Sequence, residues 1–178
     1  MLIWLLASVV LAMAVAGPAS AEVKSVTANG FEVAATGTVA APADGVYAAL
    51  GEVGHWWDPS HTFSRDAANL SIELRAGGCF CERLKDGGSV QHLQVVYAAS
   101  GQGLRLRGAL GPLQTEGVDG TLSWTLKPGE GDTTVTLSYV VGGYIRSGME
   151  QWASRVDRVL DEQLQRLKSF VERKSPAQ

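Results

Sequence analysis

From Met149 to Val171, apolar residues return every three or four positions: Met149, Trp152, Ala153, Val156, Val159, Leu160, Leu164, Leu167, Phe170 and Val171, with Gln163 in the same stripe. That period places them on one face of an α-helix running from Ser147 to about Arg173. Arg155, Asp157, Arg158, Asp161, Glu162, Arg166 and Lys168 fill the other face, which is meant for water. Ser147 followed three residues later by Glu150 is a capping-box start, and Pro176 bars much further extension. At 1.5 Å per residue the helix is roughly 40 Å long. A stripe of that length needs a broad apolar partner.

Upstream the period falls to two. Phe31, Val33, Ala35, Gly37 and Val39 alternate with Glu32, Ala34, Thr36 and Thr38, a half-buried strand. Ala41-Pro42-Ala43-Asp44 opens a short helix that Gly51 stops, and a second helical turn is expected over Glu52 to Trp57 before Pro59. Strand patterns follow at Leu70–Arg75, Cys79–Lys85, Ser89–Tyr97, Leu104–Arg107, Val118–Lys127 and Thr133–Val141, with a hairpin turn at Asp86-Gly87-Gly88. Strands joined by hairpins, with helices set apart from them, predict an α+β fold with an antiparallel sheet. The expected architecture is a curved sheet of about seven strands around the long C-terminal helix, with two short helices after the first strand.

The first 21 residues carry no charge, Leu2 to Ala16 is almost wholly apolar, and Ala19-Ser20-Ala21 is a small-x-small cleavage signal. This reads as a secretory signal peptide removed after Ala21, giving a secreted or periplasmic protein with no stable membrane insertion after cleavage. Residues 22–29 are then an N-terminal extension, 30–173 one domain, and 174–178 a tail. The net charge of −3 is spread thinly. Lys and Arg form no stripe, so nothing points to nucleic acid. No G-x-S-x-G, H-E-x-x-H or Gly-rich phosphate loop is present, and no cofactor is implied.

The element order, with Ala41-Pro42 ahead of a helix leading into His55-Trp56-Trp57, resembles the START-like superfamily, also called SRPBCC or helix-grip proteins. The similarity is to its polyketide cyclase and heat-shock-protein ATPase activator branch, and to a secreted subgroup of it. The stretches that carry the likeness are Gly54–Thr62, Gly77–Glu82, Gly108–Leu113 and Gly142–Tyr144, and it extends over about residues 30–172. The resemblance implies an apolar cavity between the long helix and the sheet, with a hydrophobic or aromatic small molecule as partner. Trp56, Trp57, His61, Phe63, Phe80, Glu82 and Leu93 are expected around it from the loops and strands. Leu110 and Leu113 are expected at its entrance, and Trp124, Tyr144, Met149, Trp152 and Val156 on the remaining sides.

The chemistry concentrates between positions 55 and 92, where all three His and both Cys of the chain fall. Cys79 and Cys81 lie two apart, so both project to one strand face while Phe80 and Glu82 take the other. With a two-residue turn, His92 falls on the Cys face. Three readings stay open: plain packing of buried Cys, a Zn or Cu site on Cys79, Cys81 and His92 with His61 as fourth ligand, or a disulfide. The last is awkward on a straight strand. Glu82 on a cavity face needs a partner. It either pairs structurally with an Arg or His61, or serves as general base with His61 or His92 in a cyclase- or hydrolase-like enzyme.

Overall fold

The computed structural model describes residues 20–174. Residues 1–19 of the expected signal peptide and 175–178 of the expected tail lie outside them, whereas Ser20 and Ala21 begin the first strand and Lys174 ends the last helix. One antiparallel sheet of eight strands forms the body: β1 (Ser20–Thr27), β2 (Gly30–Val39), β3 (Leu70–Ile72), β4 (Cys79–Arg83), β5 (Ser89–Ala99), β6 (Gly103–Arg107), β7 (Gly117–Pro128) and β8 (Thr133–Tyr144). Their order in space is β1-β2-β8-β7-β6-β5-β4-β3. Helix α1 (Ala43–Gly51) and short turns at Val53–His55 and Pro59–His61 bridge β2 to β3, and helix α2 (Met149–Lys174) closes the chain. Apart from one extra strand, this is the helix-grip architecture.

The extra strand is β1. Residues 22–29, read above as an extension outside the domain, contribute six of their number to it. Val23 pairs with Val33 and Ser25 with Glu32, so Lys24 is bulged out. The bulge puts Val23 and Val26 out of step, and the alternation that would betray a strand is lost.

Alternation predicts the sheet faces well elsewhere. Phe31, Val33, Ala35 and Val39 on β2, Leu122, Trp124 and Leu126 on β7, and Val135, Leu137, Tyr139 and Val141 on β8 are all buried. Onto that face α2 lays Met149, Ala153, Val156, Leu160, Gln163, Leu164, Leu167 and Val171, mainly across β2 and β1. The N-terminus of α2 differs from expectation: Gly148 sits at φ +89°, and Ser147 Oγ accepts the indole N–H of Trp152 at 3.1 Å.

Turn chemistry controls the β4–β5 hairpin. Arg83 pairs with Ser89, and Leu84 N–H reaches Gly88 O at 2.8 Å, so the loop spans Leu84–Gly88 rather than two residues. Asp86 (φ 58°) and Gly87 (φ 79°) adopt the left-handed conformation that closes it. The longer loop shifts the pairing by one residue as far as Cys81↔Gln91, beyond which His92 is bulged out of the ladder and Phe80 pairs with Leu93. A one-residue shift turns each side chain of a strand to the opposite face. His92 therefore joins Phe80 and Glu82 on the interior face, away from the cysteines.

Candidate functional site

Between the N-terminal half of α2 and the strands distant from β1 lies a cavity of about 690 Å³. Leu70, Phe80, His92 and Tyr139 line it from the sheet, and Trp152, Arg155, Val156, Arg158, Val159, Leu160 and Glu162 from the helix. The remaining wall is Trp57 with Ser60–Phe63 on one side and Leu110–Leu113 on the other. The lining is aromatic and aliphatic within, with charge confined to the rim on α2.

Both loops are held by part-buried polar contacts. Tyr139 Oη donates to Gly108 O at 2.7 Å and accepts the Leu110 N–H at 3.0 Å. Burial pushes the Tyr139 phenol well up, so this pair of bonds does not titrate in the working range. Gly120 makes room for the ring: a Cβ there would sit 2.6 Å from Tyr139 Cε2. On the other side, Gln163 Oε1 accepts Asp58 N–H at 2.9 Å, and Arg166 Nε donates to Trp56 O at 2.8 Å. Trp57 donates its indole N–H to His61 O at 3.2 Å and packs edge-on against Phe80, with ring centres 5.4 Å apart.

At the rim, Asp58 and Glu162 are two carboxyls in contact with unequal support. The Ser60 side chain, Glu162, the Ser60 N–H and Arg166 together outweigh burial at Asp58 and lower its pKa to about 2. Glu162 is raised, by Asp58 first and by burial second, with His61 opposing. Asp58 therefore holds the charge of the pair. A carboxyl depressed in the folded state contributes stability that is present above its unfolded pKa, near 3.8, and is lost as pH falls through about 2. Asp58→Asn should reduce the loss of stability between about pH 4 and pH 2 by about 2 kcal/mol. Urea denaturation of both proteins across that range measures it.

Deeper in, Glu82 is fully buried and His92 is 4% exposed. The Glu82 carboxylate accepts the Phe63 N–H at 3.1 Å, the Ser64 N–H, and His92 Nε2 at 2.9 Å. Burial acts to raise Glu82, but the bonds from Ser64, Phe63 and His92 prevail and hold it below the ordinary carboxylate value. Burial likewise lowers the His92 imidazole, against the pull of Glu82. The pair is thus a carboxylate and a neutral imidazole, with the imidazole proton on Nε2. The imidazole packs against two rings, stacked on Phe63 at 5.8 Å and tilted against Phe80 at 5.1 Å.

Trp57, His61, Phe63, Phe80, Leu110, Leu113, Trp152 and Val156, all singled out in the sequence, border one cavity. Others lie elsewhere. Trp56, Leu93, Trp124 and Met149 are packed into the core, Trp56 edge-on to Trp124. Tyr144 is 69% exposed, because even-numbered positions of β8 face outward. Glu82 stands behind His92 and does not line the cavity.

The pairing of Glu82 with His61 is also corrected: His61 Nε2 lies 3.4 Å from Glu162 at the rim. The metal set is not assembled either. Cys79 and Cys81 form a disulfide with Cα atoms 5.4 Å apart, inside the range such bonds need, where the strand pairing shifts at Phe80/Cys81. That leaves no thiolate, and His92 faces the opposite side. Among the described residues no group of three or more His, Cys, Asp or Glu is placed to hold a metal ion. Tyr139 and the α2 residues Arg155, Arg158 and Glu162 were missed. The sequence signal for Tyr139 was its place on the inward phase of β8, and the charged residues lay on the face assigned to water.

The family model described as "Polyketide cyclase / dehydrase and lipid transport" matches residues 30–172, which leaves β1 outside it. No curated protein matches the chain. Among solved structures, CalU16 from Micromonospora echinospora superposes with a TM-score of 0.57 at 15% identity, over 88% of this chain and 87% of that one. Ginseng major latex-like protein 151 from Panax ginseng gives 0.56 at 14%, over 82% and 99%. DynU16, a protein of the dynemicin biosynthetic locus, gives 0.53 at 24%, over 82% of this chain and 48% of that one. At these identities the likeness is one of fold.

Proposed function

We propose that this chain, which belongs to the polyketide cyclase / dehydrase and lipid transport family, is an exported binder of an apolar or aromatic small molecule. The cavity beside α2 carries the reading. Its volume of about 690 Å³ falls within the roughly 300–1,000 Å³ of small-molecule sites, and its mostly apolar walls with few polar groups have the expected form. Trp57, Phe63, Phe80 and Trp152 place aromatic side chains in its wall, suited to a ring-bearing ligand. The uncharged leader and its cleavage triplet support export, as does the disulfide, which persists in oxidising compartments. No helix among the described residues is long and apolar enough to cross a membrane.

Titration calorimetry of the purified protein with a panel of fatty acids and naphthalenes tests the reading. Saturable binding is expected, and Val156→Trp, which fills the cavity from α2, should weaken it at least about tenfold without changing the circular dichroism. A wild-type protein that binds nothing in the panel, and carries nothing by native mass spectrometry, would overturn it.

A further inference from the structure

The cavity is polar at one end only. On its sheet wall the polar side chains are spent. Tyr139 gives its one proton to Gly108 O at 2.7 Å, and His92 Nε2 is held by Glu82 at 2.9 Å. His92 Nδ1 is closed off, with under 1 Å² exposed. The indole N–H groups of Trp57 and Trp152 go to His61 O and Ser147 Oγ. A polar group carried deep into this space would give up water and find none of these side chains free. That is costly for a neutral group and costlier for a charge. The polar part of a ligand therefore belongs at the mouth.

The mouth is basic. Arg155 and Arg158 line it from α2, and residues three apart on a helix are surface neighbours. Arg75, Arg107, Arg146 and Arg166 each pair with a carboxylate, at 2.6 to 3.2 Å. Among the described residues no ion pair includes Arg155 or Arg158. Arg155 instead stands over the Trp152 ring, 5.7 Å from its centre, a contact that holds a cation without neutralising it. The one carboxyl in the lining, Glu162, is engaged with Asp58 and lies 3.4 Å from His61 Nε2. Asp157 and Asp161 do not line the cavity. Two like charges one turn apart repel each other, and their planar forks match an oxyanion.

We propose that the ligand is an amphipathic anion, with its apolar body in the cavity and its anionic head, such as a carboxylate, at the mouth between Arg155 and Arg158. This rests on the reading that the cavity binds an apolar or aromatic small molecule. It adds the head group, and the direction in which the molecule lies. No bond is made or broken.

Titration calorimetry at neutral pH and low salt compares decanoate with 1-decanol, and 2-naphthylacetate with 2-(2-naphthyl)ethanol. Each pair shares a body and differs in the charge of the head. Wild-type protein should bind the carboxylate of a pair at least about fivefold tighter than the alcohol, and added salt should erode that preference. The double variant Arg155→Met, Arg158→Met keeps two unbranched side chains on an exposed part of α2. It should lose the preference and bind the alcohols as the wild type does. The double variant Lys85→Met, Lys127→Met removes two exposed charges away from the lining and should keep it.

Equal affinity for carboxylate and alcohol in both pairs, a preference that survives the loss of both arginines, or one that is lost equally with both lysines would each overturn the inference while leaving the binder reading intact. Failure of all four probes to bind would overturn it too. The binder reading falls with it only if the wider panel also fails and native mass spectrometry finds the purified protein empty.

Discussion

Glu82→Leu is expected to destabilise the protein by about 3–5 kcal/mol, the cost of removing a buried acceptor that three donors share. The size follows from what one carboxylate holds. It accepts two successive part-buried backbone N–H groups, from Phe63 and Ser64, and the buried His92 Nε2, and Glu82 itself is fully buried. Leucine leaves each of those donors unpaired, at about 1–3 kcal/mol apiece for a buried group, tempered by the loop swinging toward water. Because that loop also forms a wall of the cavity, ligand binding should fall with stability. Glu82→Gln keeps an acceptor and should cost less. The wild type should weaken in acid, since a carboxyl held below its ordinary value contributes fully above that value and loses its contribution as pH falls through the folded one. Urea denaturation at neutral pH, with the wild type followed into acid, checks both. A Glu82→Leu protein within 1 kcal/mol of wild type would refute the account.

Leu164→Ala is expected to cost about 2–5 kcal/mol, as large-to-small substitutions in closed cores do. Leu164 is 1% exposed on the stripe by which α2 grips the sheet, just beyond the α2 residues that border the cavity. Its neighbour in the stripe, Leu167, is equally closed off, so it has little freedom to collapse into the space left. Val156 offers the contrast. It borders the cavity, so Val156→Ala enlarges an existing space and should cost less. Equilibrium denaturation of the two variants side by side tests whether the helix divides into a packed half and a half that faces open space.

These consequences were legible to different degrees. The long helix announced itself by its three-four period, because an amphipathic element records its own geometry along the chain. Seven strands did so by alternation. The eighth, β1, did not, because the bulge at Lys24 removes the signal that a strand otherwise leaves. His92 is the sharper case. Its residue type and its proximity to the cysteines suggested chemistry, yet the assumed turn was too short, and that error placed it on the wrong face. The cysteines themselves illustrate a local bend: a pair unsuited to a disulfide on a straight strand meets where the strand pairing is irregular.

By itself the sequence determined the architecture: an antiparallel sheet clasping a C-terminal helix, with aromatic and aliphatic side chains turned toward the space between them. Periodicity suffices for that, since each element's apolar face must be buried against another. Only the tertiary structure decided the polar interior. Whether Glu82 meets His61 or His92, and which imidazole nitrogen is left free, depends on a hairpin loop several residues long and on a carboxylate reaching a loop 18 residues away. Those contacts are set by register and by long-range packing, and neither is written in the local pattern of the chain.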